Sequence, residues 1–167
     1  MRSLGWTALL LVGCGTQSFT VEQDLPAQTV QGDPLGGLLG SVFPSAFALS
    51  IDLKAEEQKH DTGPASHVYL QSMSLSVTPH DSPMGNFDFL DEIHLFAASM
   101  KTPDAKVEIA NKAPVPKGLT VLPFDVLPNV ELLQMVQSGV KITATATGRQ
   151  PAQDTSIDGH VVIEVKI

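Results

Sequence analysis

Gly139-Val-Lys-Ile-Thr-Ala-Thr-Ala-Thr-Gly148 and Ile157-Asp-Gly-His-Val-Val-Ile-Glu-Val-Lys-Ile167 decide the fold class of this chain. In the first stretch Val140, Ile142, Ala144 and Ala146 alternate with Lys141, Thr143, Thr145 and Thr147. In the second, Val161, Ile163, Val165 and Ile167 alternate with Val162, Glu164 and Lys166. Successive side chains of an extended strand point to opposite faces, so a period of two marks a strand with one buried face. The last stripe runs as far as Ile167, which predicts a final strand tied into a sheet rather than a frayed end.

The same period recurs upstream. Phe19 and Val21 alternate, as do Phe47, Leu49, Ile51 and Leu53, then Ile93, Leu95 and Ala97, then Val107 and Ile109, with Leu119 to Leu122 as a short candidate. Val68 and Leu70 hold one phase while Met73, Leu75 and Val77 hold the other. A one-residue slip inside a strand is what a β-bulge produces, so one is expected near Gln71-Ser72. Pro, Gly, Asp and Asn cluster between the runs, at 61–64, 79–83, 113–118 and 158–159. Short strands at such intervals predict an all-β fold, an antiparallel β-sandwich, rather than βαβ units. At most one short helix is expected, over Pro128–Gly139, with Pro near its start and Gly at its end. The glycine-rich stretch 33–43 reads as a loop. The order strand, polar turn, final strand at the C-terminus looks like the closing hairpin of Ig-like sandwiches, among them the LEA type of some lipoproteins.

The N-terminus carries a different signal. Met1-Arg-Ser-Leu-Gly-Trp-Thr-Ala-Leu-Leu-Leu-Val-Gly-Cys14 has one positive charge, a short apolar run from Leu4 to Val12, a small residue and then the only cysteine. This is the layout of a secretory signal peptide. The apolar run is far shorter than the roughly 20 residues of a membrane-spanning helix. Leu11-Val12-Gly13-Cys14 resembles the lipobox of bacterial lipoproteins. The resemblance implies that signal peptidase recognises Leu11, Val12 and Gly13 and that Cys14 becomes the lipid attachment site and mature N-terminus. The organisation expected is a signal peptide over 1–13, a lipid-anchored tether over 14–17 and a single β-sandwich domain over 18–167. Two or more acyl chains make such attachment stable, where one gives only reversible binding. Gly15 stands where an Asp would, in the enterobacterial pattern, retain the protein in the inner membrane, so the outer membrane is the expected location within the cell envelope.

Formal charge is −8, or −9 without Arg2, and no lysine or arginine cluster occurs. The electrostatic footprint of nucleic-acid binding is therefore missing. With Cys14 unique, no disulfide can form within one chain. His60, His67, His80, His94 and His160 match no zinc spacing and read as loop histidines. Glu56-Glu57 and Asp91-Glu92, taken as strand neighbours, face opposite sides and make poor acid/base pairs. Asp88, Asp91 and Glu92 read as a solvated edge, and Phe87, Phe89, Leu90 and Phe96 as core. No Gly-x-Ser-x-Gly elbow, phosphate loop or dinucleotide fingerprint is present. The expectation is a non-enzymatic structural or binding component of an envelope assembly, with no cofactor, no metal and no catalytic residue. It would be held to the membrane through Cys14 and would have an envelope protein as possible partner. A carrier of an apolar envelope ligand and a hydrolase with an unrecognised site are the alternatives. A deep apolar cavity would mark the first of these, and Ser, His and Asp gathered in one cleft the second.

Overall fold

The computed structural model describes residues 17–39, 43, 46–78 and 85–167. The lipobox residues Leu11, Val12, Gly13 and Cys14, together with His80, lie outside them. Two antiparallel sheets face each other. One holds β1 (Ser18–Val30), β9 (Thr155–Lys166), β3 (His67–Val77) and β6 (Val121–Pro123) in that order. The other holds β2 (Ala46–Leu49), β8 (Val140–Gly148), β4 (Leu90–Ser99), β5 (Thr102–Lys112) and β7 (Asp125–Val126). The chain is an all-β sandwich, and the inward stripes expected from sequence fill its interior. Val161, Ile163 and Val165 of β9 and Val68, Leu70, Met73 and Leu75 of β3 are buried from one sheet. Ile93, Leu95 and Ala97 of β4 and Val140 and Ile142 of β8 are buried from the other. Ala144 and Ala146 pack against this core without full burial.

The bulge in β3 falls between Leu70 and Ser72, where the phase of the sequence slips. β1 runs well past its recognisable Phe19–Val21 segment because a second irregularity, between Leu25 and Gln28, absorbs Pro26. Proline has no N–H for the ladder, so it sits where pairing skips.

Three expectations need correction. The alternation from Phe47 to Leu53 is not one strand: β2 stops at Leu49, and α1 (Leu53–Lys59) follows. The Asp52 side chain accepts the Ala55 N–H at 3.1 Å as an N-cap, and Lys59 pairs with Glu56 at 3.2 Å one turn apart. The good helix formers of Lys54–Lys59 thus end the strand, and Glu56-Glu57 lies on a helix. With α2 (Leu133–Ser138) there are two short helices among the described residues, not one at most. α2 is shorter than the pattern over 128–139, and its first N–H, on Leu133, is satisfied by the Glu131 carboxylate at 2.9 Å. Gly139, at φ +86°, closes it in a conformation that glycine adopts at no steric cost. Finally, β8 and β9 do not form a hairpin, because they belong to different sheets. Each has its own apolar stripe, and placing the stripes face to face across the core buries both.

The chain therefore has two distinct ends. Ser18 pairs with Lys166 and His67 with Lys166, so the start of β1 lies beside the end of β9 and the start of β3. At the other end, Val30 pairs with Thr155, and the β1–β2 loop meets the β8–β9 connection.

Candidate functional site

Every histidine among the described residues lies beside a carboxylate. His67 Nδ1 is 2.6 Å from Glu131 Oε2, and His94 Nδ1 is 2.7 Å from Glu108 Oε1. His160 Nδ1 is 2.8 Å from Asp24 Oδ1, with its Nε2 at 3.8 Å from Glu22. His60 lies 3.8 Å from Glu56, and its ring stacks on Phe19 with centroids 4.4 Å apart. Three of these pairs join neighbouring segments, namely β3 to the lead-in of α2, β4 to β5, and β9 to β1. Among the described residues no three His, Cys, Asp or Glu side chains converge as a metal would require. The histidines expected in loops are mostly strand residues: His67, His94 and His160 lie in β3, β4 and β9.

Two of the carboxylates are shifted. Glu108 ionises below its ordinary value because it accepts hydrogen bonds from His94 and Asn111, with slight burial opposing. For Glu131, burial opposes ionisation, but the N–H groups of Val68 and Leu133 and the His67 ring together outweigh it, so the net shift is downward. Both carboxylates fasten one segment to another.

One cleft does gather serine, histidine and aspartate. Asp24, Ser76, Asp158 and His160 line a depression of about 470 Å³ on the outer face of the first sheet. The geometry does not make a nucleophile there. Both ring nitrogens of His160 face carboxylates of β1, and the hydroxyl nearest in register, on Ser74, makes no hydrogen bond to the ring. A base must be within hydrogen-bond reach of the nucleophile it activates. Thr78 donates to Asp158 at 3.2 Å, which further ties the cleft into the sheet.

The aromatic cluster divides. Phe87, Phe89 and Leu90 are buried in the core, whereas Phe96 lies on the outer face under the Lys106 ammonium, 4.9 Å from the ring centroid. Asp88 is occupied in holding loops, its carboxylate accepting from the Gly118 N–H at 2.5 Å and from the Asn86 amide at 3.0 Å. Asp91 faces Lys117 at 3.6 Å.

Sequence reasoning missed a cleft of about 390 Å³ at the end of the sandwich away from Ser18. Phe89, Arg149, Gln150, Pro151, Ala152 and Gln153 are among the residues that line it. The β1–β2 loop beside it exposes Leu35 and Leu38 at 95% and 86% of their surface. The signal available was Arg149, the only arginine after Arg2, in a turn next to Pro151. No protein-family model and no curated protein matches this chain.

Proposed function

We propose that this chain is an exported, lipid-anchored protein of the bacterial envelope whose β-sandwich is a non-enzymatic structural or binding component. The reading rests on the order Arg2, apolar run, Leu11-Val12-Gly13-Cys14 at the N-terminus. The fold is compatible with it in one specific way. β1 begins at Ser18, four residues after Cys14, and the Gln17 carbonyl accepts the Ile167 N–H at 2.9 Å. A tether this short would hold one end of the sandwich close to the lipid surface and turn the other outward. The interior weighs against a carrier of apolar ligands, since Phe47, Leu75, Leu95, Leu122 and Ile157 are wholly buried in the space between the sheets. The His160 geometry weighs against a hydrolase.

Intact-mass spectrometry of the native protein tests the anchor. The expected mature chain begins at Cys14 and carries at least two acyl chains, and Cys14→Ser is expected to leave either an unprocessed precursor or a soluble domain. An unmodified Cys14 in native material would overturn the proposal.

A further inference from the structure

The loop that exposes Leu35 and Leu38 is firmly built. Asp33 accepts the Leu35 N–H on one carboxylate oxygen at 2.9 Å and the Gly37 N–H on the other at 3.1 Å. The loop is then fastened to the β8–β9 connection. Asp33 N–H donates to the Pro151 carbonyl at 2.8 Å, Gln150 N–H to the Gly37 carbonyl at 2.7 Å, and Gly32 N–H to the Asp154 carboxylate at 2.8 Å. Order usually accompanies burial of apolar groups, yet here it holds two leucines out in water.

Leu38 and Arg149 form an antiparallel bridge, which places their side chains on the same side of the chain pair. Arg149 is exposed and takes part in no ion pair among the described residues. None of the neighbouring carboxylates among the described residues pairs with it. Asp33 and Asp154 accept backbone N–H groups of the loop, and Asp88 accepts the Gly118 N–H and the Asn86 side-chain amide. An apolar prominence, an unpaired guanidinium and an open cleft lined by Phe89 and Ala152 therefore adjoin at one end of the molecule.

We propose that this end is a docking surface for a partner protein, presented as a segment with an apolar side chain beside an Asp or Glu carboxylate, the carboxylate being received by Arg149. The proposal deepens the reading of the sandwich as a binding component and rests on it. Charge complementarity selects the occupant: guanidinium and carboxylate match in fork geometry, and the rest of this surface offers no other free cation among the described residues lining the cleft.

A photo-reactive amino acid at position 35 of the full chain, made in the cells that produce it naturally, tests the assignment. The expected result is an adduct with one protein, mapped to a segment that carries Asp or Glu next to an apolar residue. The adduct is expected to fall at least about tenfold in Arg149→Glu and less steeply in Arg149→Lys, which keeps the charge and loses the fork. The same probe at Ser74, on the outer face of the sheet, is expected to give none. Should Arg149→Glu lose its thermal unfolding transition, Arg149→Gln takes its place, because it removes the charge and keeps a polar stem. No adduct at position 35, an equal adduct at Ser74, indifference to Arg149 substitution, or a second copy of this chain as the sole adduct would each overturn the assignment. In Cys14→Ser the dependence of any adduct on Arg149 is expected to persist, so failure of the anchor and failure of the docking surface are distinguishable.

Discussion

Glu131 shows how much one side chain can organise at the surface. Its carboxylate joins β3 to the lead-in of α2 by accepting from Val68 and Leu133, and His67 closes on its second oxygen. Because the folded state holds this carboxylate ionised below its ordinary value of 4.5, the unfolded chain takes up the proton first as pH falls. The stabilisation is thus full above about pH 4.5 and is lost as pH drops through the lower folded value, and Glu108 adds in the same direction. Glu131→Gln is expected to flatten the fall in melting temperature below about pH 4.5, measured by thermal denaturation across that range. Asp52 gives a sharper contrast. Asparagine caps helices as well as aspartate does, so Asp52→Asn is expected to be nearly neutral, while Asp52→Ala should cost about 1 kcal/mol. In the core, Ile142 is buried whereas Ile51 is half-buried beside Ser50 and Asp52 in a surface cleft. Ile142→Asp is expected to abolish the thermal transition, since a buried unpaired carboxylate costs several kcal/mol against a total stability of about 5–15. Ile51→Asp should only lower the midpoint.

At the scale of elements, β9 is the strand on which the first sheet depends. It lies between β1 and β3, and its inward row from Thr155 through Ile157, Gly159, Val161 and Ile163 to Val165 is buried. The row is tight at Gly159, where a Cβ would come to 3.0 Å from the Leu25 side chain and 3.1 Å from that of Leu75, so both would have to give way by a few tenths of an ångström. Deleting residues 160–167 is expected to remove most of both ladders, sparing only the pairs made by residues 155–159, and to leave no cooperative unfolding by circular dichroism. Edges are managed by irregularity. β5 and β4 lose register between the Ala97–Val107 and Ser99–Thr102 pairs, so the exposed segment carrying Pro103, Asp104 and Lys106 bulges instead of offering a flat template. The strands were legible wherever one face is buried, as in β3, β4, β8 and β9, because burial imposes the alternation. Even the β3 bulge was legible, as a slip in phase. α1 was not, since Ile51 and Leu53 continue the alternation of Phe47 and Leu49 by coincidence, and only the run Lys54–Lys59 with Asp52 before it marks a helix. The assignment of β8 and β9 to separate sheets was hidden for a different reason: alternation says which face is buried and nothing about which strand is the neighbour. The docking end was equally hidden, because its elements, the Asp33 loop and Arg149, are distant in sequence and are brought together by backbone hydrogen bonds and the Asp154 carboxylate.

For the whole molecule, the inner and outer stripes of two sheets make one sandwich with unlike ends. One end gathers Ser18, His67 and Lys166, and the other carries Leu35, Leu38 and Arg149. The pairing of β1 with β9 bears on what happens when those ends are drawn apart. Tension applied through Gln17 and Gln150 would pull β1 from its first residue and β9 from near its first, in opposite directions along the strands. Their ladder, from Ser18↔Lys166 to Val30↔Thr155, would then be sheared with all its hydrogen bonds loaded together. Tension through Gln17 and Ile167 would instead open the same ladder from one end, a bond at a time. Force spectroscopy with those two attachment geometries is expected to give a clearly higher rupture force for the first. A sandwich wired in this way is expected to resist traction along β1 and β9 while yielding readily to peeling at the end that carries Ser18 and Lys166.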